Sequence, residues 1–148
     1  MSVRRARPQD AAMIWEWSFS GELRREMDPP GTLLFADFHR WYGALLVDRQ
    51  TQVWIVEDAG AATGLVLINR HDKQSLPRLT IVLGARGRGR GIGRRALQLV
   101  CEQWQRPLLA ELPEDNVAAI RSLEASGFAR ANERQDGETL WCTYLWSP

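Results

Sequence analysis

The sequence is poor in cysteine, with two residues in 148, and has no surplus of either charge, 19 Lys plus Arg facing 18 Asp plus Glu. Cys101 and Cys142 match no metal-ligand spacing and read as buried, reduced thiols. A net charge of +1 gives no general pull toward nucleic acid or an acidic membrane surface. No apolar run approaches the roughly 20 residues that cross a bilayer. The segment MSVRRARPQD is basic but has no apolar core behind it, so no secretory signal is expected. These absences point to a cytoplasmic protein without a metal, a nucleic-acid partner or a membrane partner. No internal repeat, low-complexity tract or linker divides the chain. Residues 1–148 therefore read as one domain, large enough to bury about two-thirds of its unfolded surface.

What is present is concentrated. Residues 86–97, RGRGRGIGRRAL, hold five arginines and four glycines, and no acidic residue interrupts them. An apolar, strand-like segment at 79–83 precedes the run. A helical pattern of Ile92, Ala96, Leu97, Leu99 and Val100 follows it. Glycines let the backbone approach a bulky anion, and the first N–H groups of a helix have no partner within it. Strand, glycine-rich turn and helix start thus form a phosphate-holding arrangement. A dinucleotide fold is disfavoured, because no acidic residue ends a strand ~20 residues on.

The remaining pattern predicts a short edge strand over 2–7, a helix opened by Pro8-Gln9-Asp10, a chain break at 28–31 and a helix over 35–47. Strands follow at 52–57, 63–69 and 76–83, then a helix over 91–105, a strand at 108–112 and a helix over 116–126 closed by Gly127. Two last strands, 128–134 and 138–146, turn at Asp136-Gly137. The expected class is α/β, a mixed, mostly antiparallel sheet with one parallel strand–helix–strand crossover. The last strand is expected to be exposed and able to pair with a second chain, leaving monomer and homodimer both open.

At these residues the chain resembles the GNAT family of N-acetyltransferases. The family's loop pattern Arg/Gln-x-x-Gly-x-Gly/Ala is matched by Arg88-Gly-Arg-Gly91-Ile-Gly93, and its downstream pattern by Asn116, Ala119, Ile120, Gly127 and Phe128. The resemblance implies acetyl-CoA as co-substrate and an amine as acceptor. Its pyrophosphate would sit on the loop and helix start, Arg88, Gly89, Arg90, Gly91, Ile92, Gly93 and Arg94. Its pantetheine arm would pair with the strand Ile81, Val82 and Leu83, with Asn116 nearby. By residue type Asn116 is equally a helix N-cap. The surplus arginines suit the cofactor's remaining phosphate.

Acetyl transfer needs a neutral amine, so a carboxylate or a water it orders must take a proton. The resemblance, to members acting on ribosomal-protein N-termini, implies Glu111, five residues before Asn116, as that base; its other reading is a solvated or ion-paired strand carboxylate. The resemblance places a thiolate-protonating tyrosine four residues before Gly127-Phe128, where this chain has Leu123. Tyr144 is then a candidate acid, with Ser122 a weaker one, unless the thiolate leaves without one. A looser similarity to a subgroup acting on amino-sugar nucleotides, ribosomal proteins and polyamines rests on Trp15, Arg24, His39, Trp41 and Tyr42. Trp15, Arg24, His39 and Trp41 are the acceptor-side candidates, although tryptophans and a helix-flank histidine also serve as packing. The leading expectation is acetylation of a small-molecule amine, with an amino-sugar nucleotide favoured. Acetylation of a protein N-terminus or lysine, a non-catalytic acyl-CoA-binding regulator, and an RNA-binding module are the alternatives. The last lacks interleaved aromatics for base stacking.

Overall fold

Residues 53–56 and 65–68 are apolar on both faces, as strands covered from two sides must be. In the computed structural model, which describes residues 1–17, 34–70, 75–83 and 91–148, they form the centre of a seven-stranded sheet. In chain order the strands are β1 (Ser2–Arg5), β2 (Thr51–Asp58), β3 (Ala61–Asn69), β4 (Arg78–Leu83), β5 (Leu108–Pro113), β6 (Ala129–Asp136) and β7 (Thr139–Trp146). Spatially they run β1-β2-β3-β4-β5-β7-β6. Every pairing is antiparallel except β4 with β5. The β2–β3 turn places Ala59 at φ 53 and Gly60 at φ 80, the double left-handed conformation that suits a two-residue hairpin.

Four helices cover the sheet among the described residues: α1 (Ala11–Trp17), α2 (Phe35–Val47), α3 (Ile92–Trp104) and α4 (Val117–Ala125). α1 and α2 bury Ile14, Phe38 and Tyr42 on one face, against Val53, Ile55, Leu65, Leu67 and Val82. α3 and α4 bury Ala96, Leu97, Val100 and Leu123 on the other, against Val66, Leu79, Leu108, Ala110 and Cys142. Both cysteines are free and buried, and burial pushes the Cys101 thiol up to about 12. It is therefore no nucleophile at neutral pH.

Two expectations change. Pro8–Asp10 forms a 3-10 turn before α1 instead of its first turn. The last strand, β7, is not exposed: it lies between β5 and β6, and β6 is the edge at that end of the sheet. β6 carries eight exposed residues including Arg130, Glu133, Arg134 and Asp136, and charges of this kind discourage edge pairing.

The α1 layer is tied to β1 by a charged fork. Arg4 donates from both terminal nitrogens to Asp10 at 2.8 Å, and the Arg7 N–H donates to the same carboxylate at 2.7 Å. The Arg4 hydrogen bond holds the Asp10 carboxyl below its ordinary value, although burial opposes it. A depressed carboxyl contributes stability above its unfolded pKa of about 4 and loses it as pH falls through the folded value. Asp10→Asn is expected to cost about 1–3 kcal/mol at pH 7. Urea denaturation should show that gap from the parent protein closing below about pH 4.

Candidate functional site

Parallel neighbours need a crossover, and α3 provides it between β4 and β5. The two strands share one ladder pair, Arg78 opposite Leu109, with the Leu109 N–H donating to the Pro77 carbonyl at 3.0 Å. Beyond it they separate, and a cleft opens between them. Ile81 and Val82 line one wall, Glu111 and Pro113 the other, and Asn116 and Leu123 close the end beside α4. Leu83 ends β4 at this opening.

α3 begins beyond that point. Gly91 is its N-cap at φ 71, a left-handed conformation that favours glycine, and a Cβ there would meet nothing. The first intrahelical bond is donated by the Arg95 N–H to the Gly91 carbonyl at 3.2 Å. The N–H groups of Ile92, Gly93 and Arg94 therefore have no acceptor within the helix and point outward from its start. Gly93 is packed close: a Cβ would lie 3.2 Å from the Leu83 side chain and 3.3 Å from Ser122 Oγ. Ile92 is buried, whereas Arg94 and Arg95 are exposed along a groove with Gln98 and Glu102. Arg88, Gly89 and Arg90 lie outside the described residues, as does Arg24.

Asn116 occupies the N-cap position of α4, yet its side chain makes no capping hydrogen bond. It lines the cleft instead. The cap reading on residue type is therefore not what this geometry uses.

Glu111 is brought to the cleft, but as an ion-paired carboxylate. Its Oε1 accepts from Arg134 Nε at 2.9 Å and also from Arg134 Nη2. Its Oε2 lies 3.7 Å from Arg78 Nη1. The Arg134 guanidinium in turn sits 5.4 Å from the centre of the Trp141 ring, and Trp141 lines the cleft.

Tyr144 is not brought to Glu111. It pairs opposite Ala110, whose side chain belongs to the α3–α4 core, so strand alternation puts it on the face opposite Glu111. It is 3% exposed, and burial raises its phenol. Tyr144 is not among the residues that line the cleft, although Ala110, Leu112 and Leu123 of the same core are. Leu123, also in that core, lines the cleft without a proton to give.

Nor do Trp15, His39 and Trp41 line the cleft. Trp15 packs on Phe35 at 5.2 Å and Phe35 on His39 at 5.7 Å, while Trp41 packs on Phe38 at 5.6 Å. The Trp15–Phe35 contact joins α1 to α2, and the other two lie within α2; the two tryptophans are half-buried and His39 is exposed. Sequence reasoning missed Arg78, Thr80, Arg134 and Trp141. Their only signal is alternation within β4, β6 and β7, which is mute until strand order is known.

The site fits acetyl-CoA. An open strand edge suits an extended amide-bearing arm, outward helix N–H groups suit a pyrophosphate, and the Asn116 carboxamide remains for the arm. Among the described residues no cluster of His, Cys, Asp or Glu could hold a metal, and no helix is long and apolar enough to cross a membrane.

Comparison with solved structures returns the same fold at low identity. An aminoglycoside acetyltransferase in complex with coenzyme A and kanamycin is 16% identical at a TM-score of 0.77, over 99% of this chain and 94% of that one. A spermidine N-acetyltransferase from Vibrio cholerae is 13% identical at 0.78, over 98% and 94%. A GNAT-family acetyltransferase from Streptococcus pneumoniae is 20% identical at 0.76, over 98% and 97%. Among curated proteins nothing matches. The family model described as an acetyltransferase (GNAT) domain matches residues 1–129 of the 148. The chain belongs to the GNAT acetyltransferase family, enzymes that use acetyl-CoA as co-substrate.

Proposed function

We propose that this N-acetyltransferase acts on a primary amine of a small molecule, with an amino sugar, nucleotide-linked or free, as the first acceptor to test. The observation that carries the reading is the juxtaposition of the β4–β5 cleft with the α3 N-terminus. In this reading the backbone of Ile81, Val82 and Leu83 holds the pantetheine arm and Asn116 donates to it. The N–H groups of Gly91 to Arg94, with Arg88, Gly89 and Arg90 of the preceding loop, hold the pyrophosphate. Arg94 and Arg95 flank the groove suited to the remaining phosphate. The half-buried Trp141 at the cleft offers the acceptor an aromatic face. Kinship to enzymes named for aminoglycosides and spermidine supports a small acceptor over a peptide.

The amine nitrogen attacks the thioester carbonyl, the C–S bond breaks, and the amine proton passes to water in the open cleft. With Leu123 at the cleft end, coenzyme A departs as a thiolate, tolerable at a thiol pKa of about 8.5. Tyr144→Phe is therefore expected to leave kcat within about twofold of the parent; a loss of tenfold or more would restore the phenol to the mechanism.

Free-thiol release tests the function directly. The panel comprises amino sugars, nucleotide-linked amino sugars, aminoglycosides, polyamines, and peptides with free N-termini or lysines. Release is expected with a small-molecule amine. Release with peptides alone would reverse the acceptor assignment, and tight acetyl-CoA binding without any release would make the protein a regulator.

A further inference from the structure

We infer that Glu111 is a positioning residue, the centre of an Arg78–Glu111–Arg134 bridge that fixes the width of the cleft. The inference rests on the proposal that acetyl-CoA occupies that cleft. The sheet consists of two parts, β1 to β4 and β5-β7-β6, and they meet at one ladder pair, Arg78 opposite Leu109. Two strands joined so briefly are free to hinge where the cofactor would enter.

The bridge spans that seam. Arg78 lies on β4, Glu111 on β5, Arg134 on β6, and Trp141 on the intervening β7. Alternation puts all four on the same sheet face: Glu111 stands between Ala110 and Leu112, which point into the opposite core, and Trp141 pairs with both Pro113 and Arg134. Arg134 reaches across β7 to Glu111 and covers the Trp141 ring on the way. Asp136 approaches Arg134 at 3.9 Å from the hairpin end. The Arg134 fork holds the Glu111 carboxylate at one oxygen, and Arg78 faces the other at ion-pair distance.

The bridge is part-exposed, Glu111 at 19% and Arg134 at 56%, so each pair adds little to global stability. Its effect is local. Loss of either end should loosen the wall formed by Glu111 and Trp141 and weaken cofactor binding, leaving the chemical step alone.

The experiment compares Glu111→Gln, Arg134→Gln and the double variant by calorimetric acetyl-CoA binding and by steady-state kinetics across pH. Each single variant should weaken binding and raise the acetyl-CoA KM about fivefold, with kcat within about twofold and an unshifted pH profile. The double variant should match either single one, because both break the same bridge. Arg134→Lys should restore part of the binding through its charge while losing the fork. A tenfold fall in kcat for Glu111→Gln with loss of the acidic limb would make Glu111 the base and overturn the inference. Additive effects, or variants that bind as the parent does, would overturn it as well. If the parent itself fails to bind acetyl-CoA, the cofactor site is what fails, a result separable from the others.

Discussion

Gly64→Ala is expected to be among the most destabilising single-methyl changes available in this chain. Gly64 lies on β3 opposite Leu83, the last residue of β4. A Cβ there would come within 2.3 Å of the Val82 carbonyl oxygen and 3.0 Å of Leu83 Cα. These are backbone atoms, so no rotamer change relieves the clash and the strands must part. Forced packing of this kind costs about 1–3 kcal/mol or more, and about 2–4 °C of Tm is lost per kcal/mol at this chain length. Thermal denaturation should therefore show a fall of about 2–12 °C. Because the displaced strand end borders the cleft, acetyl-CoA binding should weaken with it. Gly43→Ala is the control: it sits within α2, a Cβ there meets nothing within 4 Å, and alanine should stabilise the helix by about 0.5–1 kcal/mol. Equal Tm values for the two variants would contradict the reading of β3–β4 contact.

Gly93→Val is expected to separate binding from folding. The Cβ of an alanine would touch the ends of two side chains, Leu83 Cδ1 at 3.2 Å and Ser122 Oγ at 3.3 Å, and these can yield by a few tenths of an ångström. The branched methyls of valine cannot be placed so easily between β4, α3 and α4. The start of α3 must shift, carrying the N–H groups of residues 92–94 off the phosphate position. Loss of hydrogen bonds to a charged group costs about 1.5–3 kcal/mol, so acetyl-CoA affinity should fall about tenfold or more for valine and under about threefold for alanine. Calorimetry at a temperature where both variants are folded makes the comparison. Valine binding as tightly as the parent would remove the α3 N-terminus from the site.

Local chemistry was readable and long-range pairing was not. The helix start after the arginine-glycine run was legible, because Gly91, Ile92 and Gly93 carry both the turn chemistry and the first buried positions of α3. The hairpins were legible where turn residues demand left-handed backbone, at Ala59-Gly60 and at Gly137. Asn116 was legible as the N-cap position it occupies, while the absence of a side-chain cap bond is visible only in the fold. Strand order lay outside what periodicity can report. Insertion of β7 between β5 and β6 moved the exposed edge to β6 and put Tyr144 across the sheet from Glu111. The partners of Glu111, Arg78 and Arg134, lie 33 positions before and 23 after it in sequence, and only the folded sheet brings them together. The aromatic residues of α1 and α2 were legible as rings on helices, and Phe38 and Tyr42 among them are buried in the core.

The most direct test of where the cofactor sits is backbone hydrogen exchange with and without acetyl-CoA. The amides of residues 92–94 have no acceptor within their helix and should exchange fast in the free protein. Saturating acetyl-CoA should slow them, together with amides of residues 79–83 on the cleft side of β4. Binding that leaves these amides unchanged, with protection elsewhere, would contradict the site.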